Sequence, residues 1–243
     1  MPTIQLHANK FEELIYRRGR PVRWQEAIIC TCWNMSSGQP SFNCKACKGT
    51  GYVYSDPYDG IALVMSVTAN KNFEQFGGVD IGDAIMTVPK RYPVILPNGT
   101  MDRASFTENS MFDIGIFDLI TLLDDSYKTS EHLIKDIPYG NRPADTLSNY
   151  YITGIKSIQQ MDPQTGTIKT YKKDIDYELE DNKIKWIGDQ PSPGSTYSVV
   201  YYHHPTYSIY TMLPKPRHQD KQDLPKYAVL KYVMSGFIGG DGK

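Results

Sequence analysis

The chain has 243 residues, enough for one large or two modest domains with a substantial buried core. Its formal net charge of −1 argues against a surface wholly committed to nucleic acid, and no membrane span is expected, because Asp113 and Asp118 interrupt the longest apolar stretch, 111–123. The 18 tyrosines, 16 prolines and 19 glycines favour β structure, turns and contact surfaces over an α/β enzyme.

A short helix is the first element predicted, over residues 7–18. Apolar Phe11, Leu14 and Ile15 recur at helical spacing, as they do on the buried side of an amphipathic helix. Gly19 then predicts the end of the helix, because glycine readily adopts the left-handed conformation that follows a helix terminus.

Four arginines lie at the end of this helix and just beyond it: Arg17, Arg18, Arg20 and Arg23. Residues 1–51 carry seven lysines and arginines against three acids, so this part of the chain is locally basic. Two interpretations stay open. The arginines contact nucleic-acid phosphates, with Trp24 available to stack on a base, or they form a solvated or subunit-contacting face.

All four cysteines of the chain lie within eighteen residues, as Cys30-Thr-Cys32 and, after eleven further residues, Cys44-Lys-Ala-Cys47. Two close pairs joined by a turn-rich segment can surround one tetrahedral ion. Gly49 and Gly51 allow positive φ and a close approach of backbone amides to the sulfurs. We therefore predict one structural Zn²⁺ per chain. Four protein ligands leave no open position for a substrate.

Four cysteines can also form two disulfides, a redox-active pair or the ligands of an iron–sulfur cluster. Two disulfides need an oxidising compartment, whereas residues 1–25 are polar and charged and resemble no secretory signal. A redox-active Cys-x-x-Cys normally stands without a second pair beside it. An iron–sulfur cluster also uses four thiolates, and the spacing alone does not exclude it.

Beyond the cysteines the pattern becomes strand-like. Strands are predicted at 61–67, 81–89 and 92–97, with a strand pair or one bent strand at 112–123. Segments of this length between turns are typical of a small barrel. We assign residues 60–145 to a β-barrel-like unit completed by 205–235, where alternation over 224–233 predicts a returning strand. The polar segment 125–146 is predicted to be a linker or long loop.

A second unit is predicted over residues 146–204. Its expected strands are 152–161, 168–171, 176–179, 183–187 and 197–202. Their alternation of apolar and polar residues is typical of half-buried antiparallel sheet and favours a β-sandwich-like module. Residues 1–59 form the remaining unit, with helix, arm and zinc knuckle, and 236–243 a mobile end. The predicted fold class is thus mainly β, a small barrel plus a sandwich-like module.

No catalytic constellation emerges from the sequence. His203 and His204 are adjacent in a predicted strand and should point to opposite faces, one inward and one exposed. Paired carboxylates lie beside turns, and phosphate-cradling loops, nucleophile elbows and His-Glu-x-x-His motifs are missing from the sequence. We expect a protein that is not an enzyme.

Three stretches together resemble structural proteins of the tailed-bacteriophage neck, a group that includes head-completion proteins, head–tail connectors and stoppers. They are the arginine-rich lead-in with the cysteine knuckle (16–52), the segment 81–89, and 176–201 with its proline-rich return to Leu224. The knuckle also resembles zinc knuckles of chaperones and ribbon proteins. However, Cys30-Thr-Cys32 has one intervening residue where those proteins usually have two.

The resemblance implies a structural virion protein, assembled in the host cytoplasm, that forms a homo-oligomeric ring between portal and tail. Such a ring helps to seal or pass the genome. Its implied partners are the portal or an adaptor protein, tail proteins and, in passing, DNA, with no membrane. The alternative is a zinc-ribbon nucleic-acid-binding protein that uses the four arginines. A third option, a tail-associated hydrolase, is disfavoured by metal-filled cysteines and scattered histidines.

Overall fold

The structure, a computed structural model, describes residues 8–66, 83–97, 101–138, 142–162, 164–212, 218–219 and 222–233. The first elements in chain order are α1 (Ala8–Arg18), β1 (Arg20–Gln25), β2 (Ala27–Ile29), β3 (Trp33–Asn34), β4 (Gln39–Pro40), β5 (Tyr52–Tyr54), β6 (Tyr58–Ser66), β7 (Ala84–Val88), β8 (Arg91–Ile95), β9 (Met101–Glu108), a 3₁₀ turn (Ser110–Asp113) and β10 (Leu119–Leu122). The remaining elements are β11 (Tyr127–Ile134), β12 (Ile152–Met161), β13 (Ile168–Tyr171), β14 (Tyr177–Glu180), β15 (Lys183–Trp186), β16 (Thr196–His203), β17 (Thr206–Met212), β18 (His218–Gln219), β19 (Gln222–Asp223) and β20 (Lys226–Tyr232).

Six strands close into a barrel in the order β1-β10-β17-β20-β7-β6. Each neighbouring pair is antiparallel, and the circuit joins strands from both ends of the chain. The barrel interior is filled by apolar side chains that are fully buried, among them Val22, Met86, Ile120, Ile209 and Leu230. Closure pairs every strand on both sides, so the barrel leaves no free edge.

Helix α1 packs against β6 and β8 beside the barrel. Its buried face carries Ile15, and the Glu12 carboxylate on the same side receives an ion pair from Arg91 at 3.1 Å. The chain turns sharply after the helix, where the Gly19 N–H donates to the Ile15 carbonyl at 2.6 Å. In the described part of the chain, no helix is long and apolar enough to cross a membrane.

The second unit is a four-stranded antiparallel sheet, β11-β16-β12-β13, with the hairpin β14-β15 packed against it. Its core holds Leu147, Ile158, Ile184, Tyr197 and Tyr201, all buried. The Trp186 ring meets the rings of Tyr171, Tyr177 and Tyr197 edge-on, at centroid distances of 5.1, 6.1 and 5.5 Å. Such edge-to-face contacts stabilise the unit beyond the area they bury.

The predicted fold class is confirmed: the protein is mainly β, with a closed barrel, one short N-terminal helix and a cluster of four cysteines. The boundaries between units differ from those expected. β1 is a barrel strand, although residues 1–59 were assigned to the arm, and β11 pairs with β16 of the second sheet, although 60–145 was assigned to the barrel. The mobile end expected at 236–243 lies outside the described residues.

Two segments have a different secondary structure from the one predicted. The expected loop 125–146 contains β11, an eight-residue strand. The segment 112–123 contains the end of a 3₁₀ turn and the four-residue strand β10 instead of a strand pair. Between these two elements Phe117 adopts a positive φ of 76°, which breaks any continuous strand.

Candidate metal centre

The cysteine arm, residues 27–54, leaves the barrel between β1 and β6. Its base is the ladder of β2 with β5, in which Ile29 lies opposite Tyr52. The ladder continues one step further, because the Cys30 N–H donates to the Gly51 carbonyl at 2.8 Å. Beyond it β3 and β4 form a small hairpin. This folding brings the two cysteine pairs together from opposite ends of the arm.

The four cysteine sulfurs converge on one point, all within 4.8 Å of one another. The shortest separations run between the two pairs: Cys30 Sγ lies 3.7 Å from Cys44 Sγ, and Cys32 Sγ lies 3.4 Å from Cys47 Sγ. A tetrahedron of thiolates with metal–sulfur bonds of about 2.3 Å has sulfurs roughly 3.8 Å apart, so the donor set fits one ion. The cysteines are free and do not form disulfides.

Two glycines make this convergence sterically possible. Gly49 and Gly51 have φ values of 88° and 85°, as their place after the last cysteine predicted. A Cβ atom on Gly51 would lie 2.5 Å from the Trp33 ring, and one on Gly49 would lie 2.9 Å from the Phe42 carbonyl oxygen. The arm therefore needs glycine at both positions for conformation and for space.

Backbone amides prepare one of the ligands for metal binding. The N–H groups of Cys47 and Ala46 point at the Cys44 sulfur and lower the pKa of its thiol to about 6, which favours the thiolate. Burial raises the pKa of the Cys32 thiol, and a hydrogen bond to Cys47 adds to the shift. Apart from the cysteines, the ionisable groups within 27–54 are two lysines and two tyrosines. These lysines oppose the negative charge of four thiolates around a divalent ion.

Aromatic and cationic side chains fix the arm to both units. The Tyr52 ring stacks on Phe117, in the loop that leads into barrel strand β10, at a centroid distance of 4.8 Å. On the other side, the Lys48 ammonium group donates to the Tyr150 hydroxyl at 2.9 Å. The cysteine spacing predicts neither contact, because both join residues that are distant in sequence.

Asp118 is the polar anchor of the arm. Its buried carboxylate accepts hydrogen bonds from Trp24 Nε1 at 2.7 Å, the Ala27 N–H at 2.8 Å and the Gly115 N–H at 2.7 Å. These bonds join β1, the base of the arm and the loop before β10. The sequence held a signal for this role, since Asp118 interrupts an otherwise apolar stretch.

The four arginines divide into two pairs. Arg17 and Arg18 end helix α1 with exposed side chains, and Arg17 forms an i,i+4 ion pair with Glu13 at 2.8 Å. An exposed pair of this kind leaves the guanidinium open to solvent and adds little to stability. These two arginines are available to an outside partner.

Arg20 and Arg23, in contrast, are engaged within the protein. Arg20 Nε lies 2.9 Å from both Asp124 oxygens, and its Nη2 lies 3.3 Å from Asp125. Arg23 forms a bidentate pair with Asp59 at 2.6 and 2.8 Å, and these hydrogen bonds lower the pKa of the Asp59 carboxyl. Both guanidinium groups therefore have carboxylate partners that a phosphate would have to replace.

The adjacent histidines make separate contacts. His203 is buried, with Nε2 lying 3.0 Å from Thr129 Oγ1 and Nδ1 lying 3.1 Å from the His204 carbonyl. Burial lowers the pKa of His203. His204 is half-buried, and its Nδ1 lies 2.6 Å from the Asp125 carbonyl. The two rings do not converge on one site.

The arm also exposes apolar surface that sequence reasoning missed. We define the arm face as five exposed apolar side chains, of which Ile29, Met35 and Phe42 lie on the arm and Ile116 and Phe117 on the loop stacked on it. Met35 is 94% exposed, Phe42 83% and Ile29 64%. The sequence did contain a signal for this exposed surface: large apolar residues occur in a short, turn-rich segment that is too small to bury them in a core of its own.

No protein-family model matches the chain, and no curated protein is similar enough to be counted as a relative. The interpretation of the arm therefore depends on its own residues. They provide a four-thiolate site, a polar anchor at Asp118 and an exposed apolar face.

Proposed function

We propose that this chain is a structural assembly protein of the tailed-bacteriophage neck, where it forms a ring between portal and tail. The observation that carries the proposal is the arm face, because five large apolar side chains exposed on one small arm and the loop beside it offer a partner an apolar surface. The closed barrel supplies a rigid support for it, and the stacking of Tyr52 on Phe117 holds the arm against that support. The resemblance of the sequence to neck proteins supports the same role.

Within this role the metal is structural. Four thiolates select a soft or borderline ion, and a closed set of four protein ligands is the usual arrangement of a structural zinc site. The site binds one Zn²⁺ through Cys30, Cys32, Cys44 and Cys47. The ion stabilises a segment of short ladders that is too small to form its own hydrophobic core.

Elemental analysis tests the metal assignment. The purified protein should contain about one zinc per chain, and Cys44→Ser should lose it. Amide exchange should then rise throughout the arm, while the second unit keeps the protection of the wild type. Ser41→Ala, in the same loop, is the matched control and should retain the metal. Iron in the purified protein, or four thiols that titrate freely in the native state, would contradict the assignment.

Light scattering with the neighbouring proteins of the particle tests the function. The chain should co-elute with portal, adaptor or tail proteins encoded beside it, in a complex of defined mass. Met35→Asp with Phe42→Asp should weaken this complex, because both residues belong to the arm face. A chain that stays strictly monomeric and binds none of these proteins would rule the proposal out.

Nucleic-acid binding is the second candidate, favoured by the exposed Arg17 and Arg18. If it is the main function, DNA affinity should fall steeply with salt and be lost in Arg17→Ala with Arg18→Ala. Arg20→Ala and Arg23→Ala serve as comparison, since these guanidinium groups already pair with carboxylates. Lack of binding even at low salt would eliminate this candidate.

A further inference from the structure

A lysine and an aspartate are buried against each other in the second unit. The Lys135 ammonium group lies 3.1 Å from Asp145 Oδ2, and only 6% and 7% of the two side chains is exposed. A second aspartate, Asp136, is exposed and also accepts a hydrogen bond from the Lys135 ammonium group. A buried ion pair is often no more stabilising than apolar residues of the same volume, so stability alone is a weak explanation for this contact.

The backbone holds both reacting residues in place. Lys135 follows β11, where its N–H donates to the Ser195 carbonyl and its carbonyl accepts from the Gly194 N–H, both at 2.9 Å. The Asp145 carbonyl accepts from the Ile184 N–H of β15 at 2.9 Å. Asp145 also adopts a left-handed backbone with a φ of 56°, a conformation that is uncommon outside glycine and recurs at functional sites. The contact is therefore fixed by two separate backbone segments.

Two aromatic residues complete the surroundings of the contact. The buried Tyr197 hydroxyl donates to the other Asp145 oxygen, Oδ1, at 2.7 Å. Burial and the neighbouring Asp145 raise the pKa of Tyr197, so its hydroxyl keeps the proton that it donates. The Trp186 ring centroid lies 6.0 Å from Lys135 Nζ, and this ring packs edge-on against the Tyr197 ring. The aromatic side chains exclude water from one side of the contact.

We propose that Lys135 and Asp145 condense to an amide, which covalently joins the end of β11 to the segment that pairs with β15. A bond forms between Lys135 Nζ and Asp145 Cγ, the bond between Cγ and Oδ2 breaks, and Oδ2 leaves as water. An ammonium group and a carboxylate thus yield one amide and one water molecule, so atoms and charge balance without any co-reactant. The cross-link is independent of the metal site and of the role in the phage neck.

Each neighbouring group has a part in this reaction. Burial lowers the pKa of Lys135 and its hydrogen bonds to the two aspartates raise it, with a net rise, so the resting group is an ammonium ion. Attack needs the free amine, and the first proton passes from Nζ to Oδ2, 3.1 Å away. When Nζ attacks Cγ, negative charge develops on Oδ1, where the Tyr197 hydroxyl donates. Asp136 then takes the second proton from Nζ and passes it to the departing oxygen.

Proximity and burial both favour the amide. Groups held in the right geometry within one molecule react as if each were present at about 10⁵–10⁸ M. Condensation also removes two buried charges, and with them the cost of keeping these charges out of water. Lys169 and Asp189 provide an internal comparison, since their charged atoms lie 2.7 Å apart but their side chains are 49% and 61% exposed. This exposed pair should remain an ordinary ion pair.

Mass spectrometry of the denatured protein tests the proposal. The wild type should be lighter than its sequence requires by the mass of one water molecule. Tryptic digestion should yield one branched peptide that joins Lys135 to Asp145, with no cleavage after Lys135, and no branched peptide that joins Lys169 to Asp189. The branched peptide distinguishes the amide from loss of water within a single aspartate.

Two variants separate the groups that react from the group that assists. Lys135→Arg keeps a cation beside Asp145 but removes the nucleophilic amine, so it should retain the full sequence mass. Asp136→Asn keeps both reacting groups and suits the left-handed backbone at this position, where φ is 60°. It should cross-link more slowly by about 10²-fold or more, because the proton acceptor is lost. Circular dichroism verifies the fold of both variants.

Two results for the wild type would overturn the proposal, and neither depends on a variant that folds. One is the full sequence mass, both in freshly purified protein and after prolonged incubation under native conditions, which would leave Lys135 and Asp145 as an ion pair. The other is loss of water without the branched peptide. Cross-linking of Asp136→Asn at the wild-type rate would refute the role given to Asp136.

Discussion

The Lys48 ammonium group and the Tyr150 hydroxyl form a 2.9 Å hydrogen bond that connects the cysteine arm to the second unit. The two residues are 102 positions apart in the sequence. The same ammonium group lies 5.7 Å from the centroid of the Tyr150 ring, so the contact combines a hydrogen bond with a cation–π interaction. The arm is thus held at a defined position although it contains only short strands.

Tyr150→Phe should loosen the arm without unfolding the protein. The substitution removes the hydroxyl acceptor and keeps the ring, so the expected loss is about 0.5–1.5 kcal/mol of local stability. Hydrogen exchange should accelerate in 44–51, while the denaturation midpoint changes little. Tyr210→Phe, at an exposed tyrosine of the barrel, is the control. Unchanged exchange in 44–51 would show that the hydrogen bond does not restrain the arm.

Asp118→Ala should destabilise the whole barrel. The buried carboxylate accepts three hydrogen bonds, from Trp24, Ala27 and Gly115, and its removal leaves their N–H groups without this acceptor. The expected cost is about 3 kcal/mol or more, measurable by urea denaturation. Asp113→Ala is the control, since Asp113 is exposed in the preceding 3₁₀ turn. Equal stability of the two variants would refute the anchoring role of Asp118.

Strands were predicted correctly where the local sequence alternates clearly between polar and apolar residues, and they were missed where it does not. Tyr177–Glu180 and Lys183–Trp186 alternate between exposed residues and buried or half-buried ones, and both segments were predicted as strands. β11 was missed because it pairs on one side only and half of its residues are exposed, with Leu133 as its one buried residue. A polar edge strand of this kind has the composition of a loop.

The convergence of the cysteines was likewise predictable, because their spacing brings four thiolates around one centre whatever surrounds them. The position of the arm was not, since Tyr52, Lys48 and Asp118 act through partners that only the closed barrel and the second unit bring near. Long-range pairing of this kind leaves no periodic signal in a single sequence.

His203 should make the protein sensitive to acid. Burial lowers the pKa of His203 below the ordinary value of 6.5, so the unfolded chain binds its proton more readily than the folded chain does. The stability contributed by the neutral ring is present above about pH 6.5 and is lost as the pH falls below it, at up to about 1.4 kcal/mol per pH unit. The hydrogen bond to the His204 carbonyl and the charge of Glu131 raise this pKa, and the charge of His204 lowers it.

Urea denaturation of His203→Gln between pH 7.5 and 5 measures this contribution. The free energy of unfolding of the wild type should fall relative to that of the variant as the pH decreases. His132→Gln, at an exposed histidine of β11, should follow the wild type. Parallel pH profiles for the wild type and His203→Gln would contradict the prediction.

Gly51→Ala should disrupt the arm more than Gly38→Ala does. Both glycines have positive φ values, 85° and 65°, so both substitutions carry a similar backbone strain of about 1–2 kcal/mol. The two positions differ in the room available for the added Cβ atom. A Cβ on Gly51 would lie 2.5 Å from the Trp33 ring, whereas nothing lies within 4 Å of a Cβ on Gly38. The comparison therefore isolates the steric contribution.

The added clash at Gly51 must displace the Trp33 ring, which packs 5.9 Å from the Tyr52 ring. Because Tyr52 in turn stacks on Phe117, we expect Gly51→Ala to loosen the attachment of the arm to the barrel. Zinc should dissociate faster to a colorimetric chelator from Gly51→Ala than from Gly38→Ala. Equal release rates would mean that the Trp33 ring moves aside without cost and that the contact of Gly51 with this ring does not hold the metal site in place.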